Sequence, residues 1–469
     1  MKLINSMFES GRYPHIWKRE LITPVPKVNP PPSVDKLRPI SGLYNVAKIA
    51  DRIMADLISQ DISPKRDRCQ YGNQKGLSVN HYLINMIHQI LLSLDKNSSK
   101  DKMAVILNMI DWEKAFERQS HILGVQSFID NGVRSSLIPL LINFYQDRYI
   151  KVKWNKAFST EHAVKGGGPQ GGTTGILEYI SQTVGNLSPL SKSEAYKFID
   201  GASFIEVLNL TLAGLSSFNF KTQVPSDMST DKLFLPTENT NSQNILNKIS
   251  QWTVESEMKL NPSKTKYMII NFCKSAQFNT RLYLENSLIE QVKEIKLLGV
   301  MITEDLSWQA NTDMIVKKAF KRMCILRKLF EFKVELKDLK QIYTLYIRSI
   351  VEQSCVVWSH SLTQEDENKI ERVQKIALRI ILKENYQNYD RALEMSGLQS
   401  LKTRREILCS RFARKCTESE ETVSMFPLNN KHGKTRQEEL YNVPFAYTDR
   451  LKRSAIPSMA RLLNKENAS

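Results

Sequence analysis

Cysteine is scarce and unpatterned in this chain. The six residues, Cys69, Cys273, Cys324, Cys355, Cys409 and Cys416, form no CxxC pair. That excludes a dense disulfide framework and a zinc knuckle, and fits a reducing compartment. No apolar run has the length needed to cross a membrane, and the opening MKLINSMFESGRYPHIWKRE lacks the sustained apolar stretch of a secretory leader. An intracellular protein is expected, with nucleus and cytoplasm both open. Internal repeats and long low-complexity tracts are also missing. The one glycine-rich block has no lysine followed by serine or threonine, so it is not a P-loop.

Positive charge, by contrast, is in excess. Lysine and arginine number 66 against 49 aspartates and glutamates, a net charge of +17 and a pI near 9.4. Such a balance favours an anionic partner, most commonly a phosphate backbone. A basic soluble protein with no such partner is the alternative. Hydrophobic residues at 41% and charged residues at 25% are ordinary for a globular chain, and 469 residues suggest two to four domains.

The periodicity changes along the chain. A short helix and the strand ELITPVPK lead into a proline-rich loop, NPPPSVDK (29–36). Apolar spacing predicts helices over 46–58 and 78–94. From residue 103 short β runs follow, namely MAVILNMI, YIKVKWN, KYMIINF, RLYLEN and KLLGVMI. Beyond Trp308 the pattern is helical, with helices predicted over 310–331, 337–358, 363–383 and a strongly basic one over 401–416. The last stretch of about 50 residues is polar and weakly periodic, the mark of a less ordered end.

Three blocks carry candidate chemistry. Asp111 opens DWEKAFE (111–117) directly after the apolar run, which puts its carboxylate at the carboxyl end of a buried strand, where sites in mixed sheets gather. An aspartate capping a following helix is the competing reading. GGGPQGG (166–172) lets backbone approach a ligand, although a plain connecting loop would look the same. FIDG (198–201) ends in Asp200-Gly201, a strong hairpin signal because glycine accepts positive φ. A turn with no chemistry is therefore the alternative there. Two carboxylates, Asp111 and Asp200, can hold two magnesium ions for in-line phosphoryl transfer.

In this order the three blocks resemble the A, B and C motifs of a reverse transcriptase palm. RPISGLYNVAKIADRIMADLI (38–58) and QYGNQKGLS (70–78) precede them, and LNPSKTKYMII (260–270) and IKLLGVMITEDLSW (295–308) follow. The tail phrases IYTLYIRSIVEQSCVVW, IERVQKIALRIIL and GLQSLKTRR extend the match. The series is similar to the reverse transcriptases of non-LTR retrotransposons, near the jockey-like group. The resemblance implies an α+β right-hand polymerase with fingers, a palm with an antiparallel sheet and a helical thumb. The fingers would span 1–102, the palm with finger insertions 103–308 and the thumb 309–385. A basic helical C-terminal region, partly disordered, would follow over 386–469.

The resemblance also implies roles. Asp111 and Asp200 would be catalytic and would bind Mg2+ or Mn2+. Lys27 and Arg38 would contact the incoming triphosphate, Phe116 would pack beneath its sugar, and Gln170 and Gly171 would line the nucleotide pocket. Lys264 or Lys266 would lie near the pyrophosphate, and GVMI would begin the primer grip. The partners would be an RNA template, a DNA primer and dNTPs, with no membrane and an open oligomeric state.

Two departures stand out. Glu117 replaces the usual closing aspartate of the first block, and Gly201 replaces the second aspartate of the third. The latter removes one of three carboxylates and is expected to ease the turn. The chain also begins inside the finger region, without an endonuclease ahead or an RNase H block or Cys/His knuckle behind. An N-terminally truncated copy is the expectation. The two functions in contention are an RNA-directed DNA polymerase impaired by Gly201 and a catalytically inactive nucleic-acid-binding remnant.

Overall fold

Strands β1 (Arg19–Pro26) and β2 (Leu37–Gly42) pair antiparallel, with Leu21 opposite Gly42 and Val25 opposite Arg38. Helix α1 (Asn45–Ile62) follows, burying Ala47, Ala50, Met54, Ala55 and Ile58 at helical spacing. Helix α2 (Val79–Asp95) buries most of its surface. These features belong to a computed structural model that describes residues 2–95, 102–169, 171–187, 194–210, 232–234, 240–273, 277–429 and 439–467.

The apolar run becomes strand β3 (Met103–Ile110), and its composition follows from being covered on both faces. Val105, Leu107 and Met109 point into a core shared with α2, while Ala104, Ile106 and Ile110 point into a second core on the opposite face. The amide Asn108 is tolerated on that second face because its Nδ2 donates to Ser242 Oγ at 2.9 Å.

Strand β4 (Tyr149–Trp154) runs parallel to β1 and completes the order β2-β1-β4 in the first sheet, where short strands Ala157–Phe158 and His162–Ala163 also pair with β4. Next come α3 (Thr174–Gln182), the hairpin strands β5 (Ala195–Phe198) and β6 (Gly201–Asn209), α4 (Asn241–Glu255), β7 (Lys266–Ile270) and β8 (Glu290–Gln291). The second sheet has the order β8-β7-β3-β6-β5 and is antiparallel except at its β8 edge. Helix α4 is tied to it by Glu206 of β6, whose two carboxylate oxygens accept from the Asn241 and Ser242 N–H groups at 2.8 Å each. That carboxylate meets the first N–H groups of the helix, where negative charge is favoured.

Two expected β runs are broken by turns. KLLGVMI is a hairpin, Glu294–Leu297 against Val300–Thr303, around Leu298 and Gly299 with φ of +47° and +94°. RLYLEN contributes only Tyr283–Leu284, turning through Glu285 and Asn286 at +48° and +66°. Two successive left-handed residues are what a tight two-residue hairpin needs, and only the glycine and the asparagine advertise it.

The helical half begins with α5 (Gln309–Glu331). The single helix expected over 337–358 is instead broken. An α segment, Leu336–Ile342, passes into a π-helical turn, Tyr343–Arg348, and after Val351 the chain turns at Ser354, whose φ is +52°. Helix α6 (Gln364–Leu382) starts where Thr363 Oγ1 accepts from Asp366 N–H, with Glu365, Asp366 and Glu367 in its first turn. Helices α7 (Leu401–Thr417) and α8 (Ala455–Asn467) close the described chain.

Both closing helices pack into the core that α2 and β3 share. The end of α2 is joined to the last segment by Asp95, whose oxygens accept from the Tyr447 and Thr448 N–H groups at 2.8 Å each. A mostly antiparallel central sheet flanked by helices, followed by an all-helical half, makes this an α+β architecture. No helix among the described residues is long and apolar enough to cross a membrane.

Candidate active site

Asp111 lies one residue past the Ile110–Ala202 pair, at the end of β3 beside the first residues of β6. No helix follows it. The chain turns through Lys114, at φ +53°, and the next helix starts at His121, which removes the capping explanation. Its backbone is fastened by the LNPSKT segment, because Asn261 N–H donates to the Asp111 carbonyl at 2.9 Å and Asp111 N–H donates to Thr265 Oγ1 at 3.3 Å. Asp111 Oδ2 is buried and accepts no hydrogen bond, and Lys264 Nζ stands 3.4 Å from it.

The β5–β6 hairpin brings the second carboxylate to the same place. Phe198 faces Gly201, leaving Ile199 and Asp200 as the two turn residues. The left-handed residue of this turn is Ile199, at φ +56°, while Gly201 lies in strand β6 outside the left-handed region. The expectation that glycine eases the turn is therefore corrected: the turn makes no demand on residue 201 that only glycine meets.

Asp200 sits at the hairpin tip, open on one side and crowded by protein on the other. That crowding, and the neighbouring charge of Asp111, raise its carboxyl above the usual carboxylate range, against the pull of its own backbone N–H, Lys264 and Arg38. The same field identifies a residue that the sequence did not single out. Tyr179 of α3 is buried beneath the pair, and its hydroxyl is pushed well above the ordinary tyrosine value by burial and then by Asp200 and Asp111. Its position on the apolar side of a helix reads simply as core.

Phe116 packs on Tyr179 with ring centroids 5.3 Å apart, so the aromatic of the first block lies on the floor of the same site. The glycine block is folded over it. Gly167 N–H donates to the Gln119 carbonyl at 2.8 Å and Gly168 N–H to the Phe116 carbonyl at 3.0 Å. Gly167 has φ +88°, and a Cβ there would sit 3.1 Å from the Glu117 carbonyl oxygen, so glycine is required. Gly171 approaches β2 so closely that a Cβ would lie 2.6 Å from the Ser41 carbonyl oxygen. Asp51 of α1 holds the far end, accepting from Thr173 N–H at 2.6 Å and Thr174 N–H at 3.3 Å. Gln170 lies outside the described residues.

The basic candidates separate. Lys264 meets Asp111, whereas Lys266 pairs with Glu290 on the β7–β8 edge. Arg38 is exposed on β2, and its charge reaches Asp200. Lys27 stands exposed where the β1–β2 hairpin opens, its N–H donating to the Lys36 carbonyl at 2.7 Å.

The donor set is suited to a hard divalent cation. Magnesium uses one or two carboxylates and completes its shell with water and phosphate oxygens, and Asp111 Oδ2, held only by the Lys264 ammonium, is a ligand atom the site can offer. Among the described residues no group of three or more histidine, cysteine, aspartate or glutamate side chains converges on such a point. The set stops at two carboxylates, with Gly201 beside them.

Comparison with known proteins agrees with the motifs. No family model matches the chain. It is 22% identical over 383 residues to a protein described as a probable RNA-directed DNA polymerase from transposon BS of Drosophila melanogaster, covering 81% of this chain and 40% of that one. A second relative, a probable RNA-directed DNA polymerase from transposon X-element of the same organism, is 24% identical over 386 residues, covering 80% of this chain and 38% of the relative. The chain thus spans about two-fifths of the length of these relatives. Among solved structures, apo telomerase from Candida tropicalis aligns with a TM-score of 0.41 at 11% identity, over 86% of this chain and 66% of that one. The resemblance to the polymerases of non-LTR transposons is borne out across four-fifths of the sequence.

Proposed function

We propose that this chain is the RNA-directed DNA polymerase portion of a non-LTR retrotransposon, extending a DNA primer on an RNA template with dNTPs. The observation that carries the reading is the meeting of Asp111 and Asp200 at one edge of the central sheet, with Lys264 and Arg38 beside them. Asp111 and Asp200 would hold Mg2+ or Mn2+, which when bound acidifies a primer 3′-hydroxyl and neutralises charge on the departing pyrophosphate. Arg38, Lys264 and Lys27 would bind the triphosphate through charge-assisted bonds. Phe116, seated on Tyr179, would lie beneath the sugar, and Gln170 with Gly171 would form the side of the pocket nearest β2. Fingers over 1–102, palm over 103–308 and thumb over 309–385 would enclose the duplex, with a basic helical C-terminal region over 386–469.

One observation favours the competing reading, a nucleic-acid-binding remnant: Gly201 stands where a third carboxylate would complete the site. Primer extension on a poly-purine RNA template, with magnesium or manganese, separates the two. Extension by the wild-type chain that Asp111→Ala abolishes supports the polymerase. Silence of a folded chain that binds RNA with a steep salt dependence supports the remnant.

A further inference from the structure

The turn that carries Asp200 is not held by its own residues. Ile199 is β-branched and left-handed, a conformation such residues avoid, so something outside the hairpin must fix it. The segment Asp67–Gly72 does so. It lies along β5 as an added edge: Lys197 N–H donates to the Cys69 carbonyl and Tyr71 N–H to the Lys197 carbonyl, each at 2.8 Å. Lys197 Nζ, buried, is anchored by Asp67 Oδ2 at 2.5 Å and by the Thr183 carbonyl at 2.8 Å.

Within this segment Gln70 reaches the turn itself. Gln70 is 1% exposed, and its Oε1 accepts from both Gly72 N–H and Ile199 N–H at 2.9 Å, while Nε2 makes a longer contact of 3.5 Å with the Ile199 carbonyl. One planar amide therefore spans the peptide groups on either side of Ile199. An acceptor and a donor on the same group are needed for that, which glutamine supplies and an apolar residue of similar size does not.

We infer that Gln70 is a positioning residue for Asp200, clamping Ile199 in its left-handed conformation so that the carboxylate is aimed at Asp111, a role that rests on the two-carboxylate reading above. Gln70 touches neither substrate nor metal in this scheme and acts only through the turn.

The test uses the full chain and two readouts independent of catalysis. Hydrogen exchange of the Ile199 amide, followed in a peptide spanning the hairpin, reports the clamp directly. Mn2+ titration followed by electron paramagnetic resonance reports the carboxylate pair, with Asp111→Ala as its control. Gln70→Leu should speed exchange at Ile199 and weaken Mn2+ binding, each by about tenfold, while β3 keeps its protection. Gln70→Glu, which retains the acceptor but loses the donor to the Ile199 carbonyl, should fall between Gln70→Leu and the wild type. Gln70→Asn withdraws the amide by one methylene and makes the same comparison if the leucine variant does not fold. A folded Gln70→Leu or Gln70→Asn chain with unchanged Ile199 exchange and unchanged Mn2+ affinity overturns the clamp. If Asp111→Ala leaves Mn2+ binding intact, the metal-site reading fails instead, and with it the positioning of Asp200 for metal.

Discussion

Gly201 faces Phe198 across the β5–β6 pair, and a Cβ added to Gly201 would meet only the Phe198 carbonyl oxygen, at 3.5 Å. That is ordinary contact distance, so the backbone at residue 201 already accommodates a Cβ. Gly201→Asp should fold with a stability change within about 1 kcal/mol, the loss of glycine's flexibility offsetting part of the repulsion among three carboxylates. Manganese should then raise the melting temperature of the variant more than that of the wild type, because a ligand that binds only the folded site stabilises in proportion to its affinity. Primer extension should rise by about tenfold or more if a carboxylate is what the site lacks. A variant that melts like the wild type with and without manganese would show that residue 201 does not face the ion.

The raised carboxyl of Asp200 has a defined consequence for stability. A carboxylic acid whose folded value lies above its unfolded one holds its proton more tightly in the folded state. Its contribution is complete below the usual aspartate value of 3.8 and is lost as pH rises through the folded value. Asp200→Asn, neutral at every pH, should therefore melt higher than the wild type at pH 7, and the difference should close as pH falls below about 4. A difference that persists unchanged at low pH would assign the effect to packing rather than charge.

The parts that were legible in the sequence are those whose signal is local. Met103–Ile110 reads as a strand because both of its faces are covered, and Asp111 is placed at a strand end by that alone. The Asp-Gly signal places the hairpin but not its left-handed residue, because Gln70, far away in the chain, sustains a left-handed isoleucine. Nothing near Ser354 announces its positive φ, so the helix expected over 337–358 runs on in sequence but breaks in space. Helix α7 looks like a basic surface helix because its charges outnumber the buried stripe of Leu401, Arg405, Cys409, Ala413 and Cys416. Tyr179 carries no signal at all, since a core tyrosine and one under two carboxylates have the same pattern.

Asp51 of α1 fastens the far end of the glycine block. It is 3% exposed, and its two oxygens accept from the first N–H groups of α3 while lodging 3.1 Å from where a Cβ on Gly172 would be. Asp51→Ala removes a charged acceptor and leaves two N–H donors unpaired, which should destabilise the chain by about 1–3 kcal/mol in urea unfolding. Asp51→Asn keeps one acceptor and should fall between. Equal stability of all three chains would mean that the cap is replaced by water.

Glu178, the fifth residue of α3, gives the sharpest pH dependence. It is fully buried, and burial raises its carboxyl from 4.5 to about 8 although the Tyr145 hydroxyl donates to Oε2 at 2.6 Å and Arg148 lies nearby. At neutral pH the folded chain therefore carries this group mostly protonated. Between 4.5 and about 8 the folded state holds a proton that the unfolded state has released, so stability declines with rising pH over that window, by at most about 1.4 kcal/mol per pH unit from this residue. Glu178→Gln keeps the shape and an acceptor for Tyr145 but cannot ionise. It should flatten that decline and leave the variant more stable than the wild type at pH 9, measured by urea unfolding across pH 5–9. If both chains decline in parallel, the carboxyl is ionised throughout and Arg148 compensates its charge in the folded state.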